Sequence, residues 1–194
     1  MHRRIHLAAF VIASVVVAGC GYNGVIDKDE AVKAAWSEVE NQYQRRADLV
    51  PNLVATVKGA SAFEAGTLTA VIEARARATS VRVDASIIDD PKRLEEFQQA
   101  QQALSSSLGR LIAVAEAYPA LKASDTYRDL LVQLEGTENR IAVARGRYIS
   151  VVADYNAYVQ RLPTSIGAAL RKKSTRPTFN ATTHDAEIAP KVGF

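Results

Sequence analysis

Residues 31–59 read AVKAAWSEVENQYQRRADLVPNLVATVKG, and this stretch decides the fold. Val32, Trp36, Val39, Tyr43, Val50, Leu53 and Val57 recur at spacings of three and four, the period of a helix that buries one stripe against partners. Two positions disturb the pattern. Arg46 takes the slot between Tyr43 and Val50, and Pro51 falls inside the helical run, where a missing backbone donor costs about 3 kcal/mol unless the helix kinks to accommodate it. Local inconsistencies of this kind tend to mark function or specificity. The spacing predicts a helix that continues across Pro51 and carries Arg46 into the core.

Outward from this seam, helix punctuation divides the chain. The first helix is predicted to begin near Asp27, whose charge suits a helix N-terminus, and Gly59 closes it. Ser61 and Glu64 have capping-box spacing and open a second helix through Leu68, Val71 and Ile72 towards Ser80. Residues 83–90 break the helical pattern. Asp90 then supplies an N-cap and Pro91 a first helical residue for a third helix, whose seam is Phe97, Gln101, Leu104, Leu108, Leu111, Ala115 and Tyr118, with Pro119 as its stop. Ser124 caps the last helix. There Tyr127, Leu131, Leu134, Glu138, Ile141, Arg145, Tyr148, Val152, Tyr155, Val159 and Leu162 alternate fours and threes as far as Pro163.

The composition is 48% apolar with few aromatics, which agrees with a helical domain able to bury a core. The expected fold is all-α, an antiparallel up-and-down four-helix bundle over residues 27–163 with long first and last helices. These reach about 45 and 55 Å against about 30 Å for the second, so one end should project as a helical pair. Residues 164–194 lose the periodicity and read as a solvated tail, in which Arg171, Lys172, Lys173 and Arg176 form a basic cluster suited to anionic headgroups.

At the other terminus, Arg3 and Arg4 precede an apolar run over residues 7–17 and then Val17-Ala18-Gly19-Cys20. A spanning helix needs about 20 apolar residues, whereas a signal-peptide h-region needs about 7 to 15. The tetrapeptide resembles a bacterial lipobox, which makes residues 1–19 a signal peptide, Cys20 the lipidation site and residues 20–26 a spacer. An uncleaved membrane anchor with Cys20 incidental explains the same residues. Both readings hold Arg3 and Arg4 in the cytoplasm and put the rest on the non-cytoplasmic side, tethered to the cell membrane or outer membrane. Without residues 1–19 the chain carries 22 basic and 21 acidic side chains. No basic face interleaved with aromatics remains, so nucleic acid is not an expected partner.

Catalytic chemistry finds little footing. His184, in the tail, is the only histidine after residue 19, which removes Ser/His/Asp catalysis and the Glu-x-x-His di-iron template. Glu38, Glu40, Glu73 and Glu138 read as solvated or ion-paired groups, and the glycines lie singly, so no catalytic residue, metal or cofactor is expected. Counting back from the short turns brings Arg46 opposite Arg75, and Gln101 opposite Glu138 and Arg145. These five are expected to form one buried polar layer that fixes the register of the helices.

Several segments carry a resemblance. They are NQYQRRADLVPNLV (41–54), Glu73-Ala74-Arg75, Gly109-Arg110-Leu111, AEAYP (115–119) and TENRIA (137–142), with Arg145, Tyr148, Tyr155, Asn156 and the ending APKVGF (189–194). Together they resemble the LemA family over residues 22–163 and at the ending. The resemblance implies an up-and-down four-helix bundle outside the bilayer, tethered by an N-terminal membrane segment. Some members are linked with envelope quality control and membrane proteases, so other envelope proteins are the implied partners. The short run with Cys20 replaces the spanning helix common in the family, and Leu162, Ile166 and Leu170 replace aromatics often found after the last helix. The expected role is a non-enzymatic interaction or scaffold module, with a small-ligand or peptide-binding sensor bundle as the alternative. An exposed apolar patch favours the first, and a closed polar pocket the second.

Overall fold

All seven apolar residues of the 32–57 seam are buried in the computed structural model, which describes residues 2–59, 63–81 and 86–179, with side chains from Asn23 onward. The chain is all-helical. Its elements are α1 (His2–Lys58), α2 (Ala65–Ser80), a 3-10 turn (Ile87–Asp89), α3 (Pro91–Ala115), α4 (Pro119–Lys122), α5 (Asp125–Gln160) and α6 (Thr164–Leu170), with no strand among the described residues.

Two boundaries differ from the sequence expectation. The helix does not start at Asp27: α1 runs unbroken from His2 through residues 20–26, the stretch read as a spacer. Gly24 in that stretch packs closely on α5, since a Cβ there would run into the Tyr158 hydroxyl. At α2 the N-cap is Glu64, not Ser61, and the Glu64 carboxylate accepts a hydrogen bond from Thr67 Oγ1 at 3.0 Å. Ser61, the Cys20 side chain, His184 and the 189–194 ending lie outside the described residues.

The caps and Pro51 act as predicted, whereas Pro119 is not the stop of the third helix and Leu162, 80% exposed, is not in the seam of the last. α1 continues across Pro51, which lies on an exposed face. Asp90 Oδ1 caps α3 by accepting from the Lys92 amide at 2.9 Å, and Ser124 Oγ accepts from the Tyr127 amide at the start of α5. α3 ends at Ala115, and Pro119 opens the one-turn α4.

Two apolar clusters fill the interior. One joins Val25 to Tyr43 of α1 with Leu94 and Phe97 of α3 and Ile141 to Val159 of α5. The other joins Val50 to Val57 with α2, the stretch from Leu104 to Ala115, Leu121, and Tyr127 to Leu134. Along α1 from Trp36 to Arg46, the partner positions climb on α3 from Phe97 to Ser105 and fall on α5 from Tyr148 to Glu138. The α1/α3 pair therefore runs in one sense and the α1/α5 pair in the other.

The end expected to project bare is covered. Ile87 and Ile88 of the 3-10 turn, Ala168 of α6 and Phe179 all enter the first cluster, and Phe179 stacks on Trp36 with ring centroids 6.0 Å apart. The tail expected to be solvated is thus packed as far as Phe179.

Candidate functional site

Arg46 sits between the two apolar clusters, 1% exposed. Its guanidinium joins three helices. Nη2 donates to Gln101 Oε1 at 2.6 Å and to the Gln101 carbonyl at 3.1 Å, while Nη1 donates to Ser105 Oγ at 2.6 Å and to Glu138 Oε1 at 2.8 Å. Gln101 Nε2 in turn donates to the Ala78 carbonyl of α2 at 3.3 Å. Of the three guanidinium nitrogens of Arg46, Nε alone has no hydrogen-bond partner among the described residues. A buried guanidinium needs this density of acceptors, because an unpaired charge in a low-dielectric interior costs several kcal/mol.

Glu138 is not in the core slot expected for it. Its side chain is 43% exposed, and the buried stripe of α5 runs through Leu130, Leu134, Thr137, Ile141, Ala144 and Tyr148. Glu138 and Arg145 are the flanking neighbours of Thr137 and Ala144. A helical stripe drifts by about 20° per heptad, so adjacent residues compete for one slot and a pattern of fours and threes admits both choices. Glu138 thus reaches Arg46 from the side, with water on its other face.

Arg75 and Arg145 have different partners. Arg75 Nε donates to the Ala47 carbonyl at 2.8 Å. Residue 51 would normally supply the amide for that carbonyl, and Pro51 has none. The guanidinium of α2 therefore takes the place of the missing helical hydrogen bond, which ties the proline to the arginine and clamps α2 on α1. Arg145 lines the same small cavity as Arg46, but its guanidinium lies 4.6 Å from the centroid of the Phe179 ring.

A second polar knot was not anticipated. Asp29 is buried on α1, where its carboxylate meets Lys33 at 3.1 Å, Lys173 at 3.0 Å and Arg176 at 2.8 Å, and Arg176 also reaches Asp89 of the 3-10 turn at 3.1 Å. Asn156 brackets the Arg176 backbone, accepting from its amide at 2.8 Å and donating to its carbonyl at 2.9 Å. Tyr155 and Tyr148 donate to the Ser174 and Pro177 carbonyls. Two members of the basic cluster, Lys173 and Arg176, are thus held by Asp29 and are not presented to a membrane. Burial alone would raise the Asp29 pKa, but hydrogen bonds from Lys173 and Lys33 and the nearby Arg176 charge outweigh it and hold the carboxyl below its ordinary value.

The LemA family profile matches residues 35–194, a span that contains the Arg46 site and Arg176. The chain belongs to the LemA family. It is 25% identical over 169 residues to magnetosome proteins MamQ 1 and MamQ 2 of Paramagnetospirillum magneticum, covering 79% of this chain and 62% of each relative. Magnetosome protein MamQ of Magnetospirillum gryphiswaldense is 24% identical over the same length. The chain therefore spans less than two thirds of the length of these curated relatives.

Several concavities lie among the described residues of this LemA-family chain. The one beside Arg46 encloses about 120 Å³, and another, between α1, α2 and α3, about 290 Å³. A groove of about 470 Å³ between α1 and α5 is lined by Glu38, Gln42, Asn139, Arg140, Val143 and Arg147. Val143 stands 73% exposed there. Among the described residues no His, Cys, Asp and Glu side chains group as metal ligands, and no helix is long and apolar enough to cross a membrane.

Two predictions follow from these contacts. Arg75→Leu should cost about 1 to 3 kcal/mol by stranding the Ala47 carbonyl, and much less in a Pro51→Ala background, where residue 51 regains its amide. Urea denaturation of the four-member cycle checks this, and additive losses would contradict the pairing. The depressed Asp29 pKa stabilises tail docking above its unfolded value of about 3.9, and that contribution is lost as pH falls through the folded value. Acid titration of Trp36 fluorescence should therefore report release of Phe179 below about pH 4. Asp29→Asn should release it at neutral pH.

Proposed function

We propose that this LemA-family protein is a non-enzymatic helical interaction module, tethered by its N-terminus outside the cytoplasmic membrane. Its body is an antiparallel up-and-down bundle of α1, α2, α3 and α5, in which Arg46, Gln101 and Glu138, with Arg75 and Arg145 at its margins, form the layer that fixes register. The observation that carries the tether is the continuity of α1, which joins the apolar residues 7–17 to the buried seam without a break. A helix rising about 1.5 Å per residue through both parts is a stiff post. Cys20 as a lipidated terminus, or residues 1–19 as a retained anchor, would serve it equally.

The groove between α1 and α5 is the face offered for interaction. Exposed Val143 lies among Glu38, Arg140 and Arg147, an apolar contact with charges of both signs around it, which suits a segment of another envelope protein. A role in envelope quality control is of this kind. The MamQ relatives are named for a cellular structure and not for a reaction, which supports a structural role. The sensor alternative rests on the concavity of about 290 Å³ between α1, α2 and α3, since the one at Arg46 is well below the ~300 to 1,000 Å³ of ligand pockets.

A photo-crosslinking residue in place of Val143 should capture discrete membrane-fraction proteins in cells, and one in place of exposed Asp129 should not. Equal labelling from both positions would refute the groove. Intact mass of the extracted protein reads the tether: diacylglyceryl on Cys20 with residues 1–19 removed supports the lipoprotein, and an unlipidated chain with those residues retained leaves the anchor.

A further inference from the structure

Leu162, Ile166 and Leu170 follow one another at spacings of four and are 80%, 54% and 71% exposed. They belong to α6 and the turn before it, whose other face is buried through Gly167 and Ala168. An exposed leucine alone needs no explanation, but Ile166 and Leu170 stand one turn apart on α6, and exposed Leu162 precedes them across the turn at Pro163.

The place of this patch in the fold says what covers it. α6 packs on α1 and α5, Ala168 shares a cluster with Val25 and Val32, and Gly24 touches Tyr158. α6 therefore lies beside residues 24–32, at the end from which α1 continues into the apolar run. From Val25 back to Val17 is about 12 Å of helix. The polar interface of a bilayer is about 6 Å thick on each side, so with that run in the membrane an upright post holds α6 about 6 Å beyond the headgroups, and a tilted post brings it down to them.

Charge points the same way. No acidic residue occurs between Asp154 and Asp185, and Arg161 and Lys172 stand exposed at the two ends of α6. Lys173 and Arg176 are engaged by Asp29 and Lys28 by Asp154, so Arg161 and Lys172 are the outward cations of α6 itself, beside exposed Asp27 and Glu30 of α1. Apolar side chains between basic residues, on a helix lying across the base of a tethered body, have the composition of an interfacial membrane element.

We propose that α6 is a second membrane contact, a foot that sets Leu162, Ile166 and Leu170 into the headgroup and acyl boundary and Arg161 and Lys172 against anionic lipid phosphates. The inference rests on the tether reading and deepens it. A single post leaves the bundle free to tilt, whereas a post and a foot fix its orientation and hold the α1/α5 groove at a constant height.

The test uses the full chain in vesicles of phosphatidylcholine with a minority of phosphatidylglycerol, comparing Ile166→Trp with Val132→Trp, a control on the exposed face of α5. Lipids brominated near the acyl boundary should remove most of the emission added by Ile166→Trp and leave that added by Val132→Trp. Arg161→Glu with Lys172→Glu should weaken the quenching. Flotation with the vesicles reports the tether separately: flotation without quenching overturns the foot alone, and failure to float overturns the tether and the foot with it. A blue-shifted but unquenched Ile166→Trp would assign the patch to a second copy or to the chain's own ending, and would also overturn the proposal.

Discussion

A guanidinium buried between two apolar clusters constrains everything around it. Arg46 cannot be left without acceptors at that depth, and its partners come from two other helices: Gln101 and Ser105 of α3 and Glu138 of α5. Rotating or sliding either helix by one residue would turn the acceptor by about 100° and strand the charge. Apolar surfaces tolerate such slips, because Leu against Val is favourable in many registers. The arginine is directional, and so it selects one.

The residues beside it extend the same logic to α2. Pro51 leaves the Ala47 carbonyl without its helical donor, and Arg75 supplies one from outside. The two anomalies of the seam are therefore adjacent devices, each turning an unsatisfied polar group of α1 into a cross-helix bond. Nearer the N-terminus of α1 a third device appears in Asp29, which gathers Lys33, Lys173 and Arg176 and pins the strap from Lys173 to Phe179 over the first cluster. All three lie on one continuous helix. A post so braced along its length can hold a body at a defined attitude over a surface, which is the mechanical requirement of the proposed role.

How far this was legible in the sequence depends on range. The α1 seam, the caps at Asp90 and Ser124, passage through Pro51, and Arg46 as a core residue with Gln101 as a partner region all follow from local spacing or from counting between short turns. Glu138 and Arg145 were drawn into the core because they sit one residue from Thr137 and Ala144, and periodicity cannot separate neighbours when the stripe drifts. Arg75 was rightly placed opposite α1, yet its acceptor was hidden: the orphaned carbonyl is implied by Pro51, but nothing local names its donor. The tail was misread for a similar reason. Asp29 looks like one more acidic residue near a helix start, and Arg176 like a solvated cation, and only a contact spanning most of the chain brings them together. Ile87 and Ile88, between acidic residues, gave a weak signal for core.

The central claim is that Arg46 and its acceptors select the register of α1 against α3 and α5. Spin labels at Gln44→Cys and Arg140→Cys, in a Cys20→Ser background, measure that register as an α1 to α5 distance. With the layer intact the account predicts one narrow distance. In Arg46→Met with Glu138→Leu, which substitutes an apolar contact for the ion pair, it predicts a broadened or multiple distribution in a chain that remains helical and folded. A single narrow distance, unchanged by the double substitution, would contradict it.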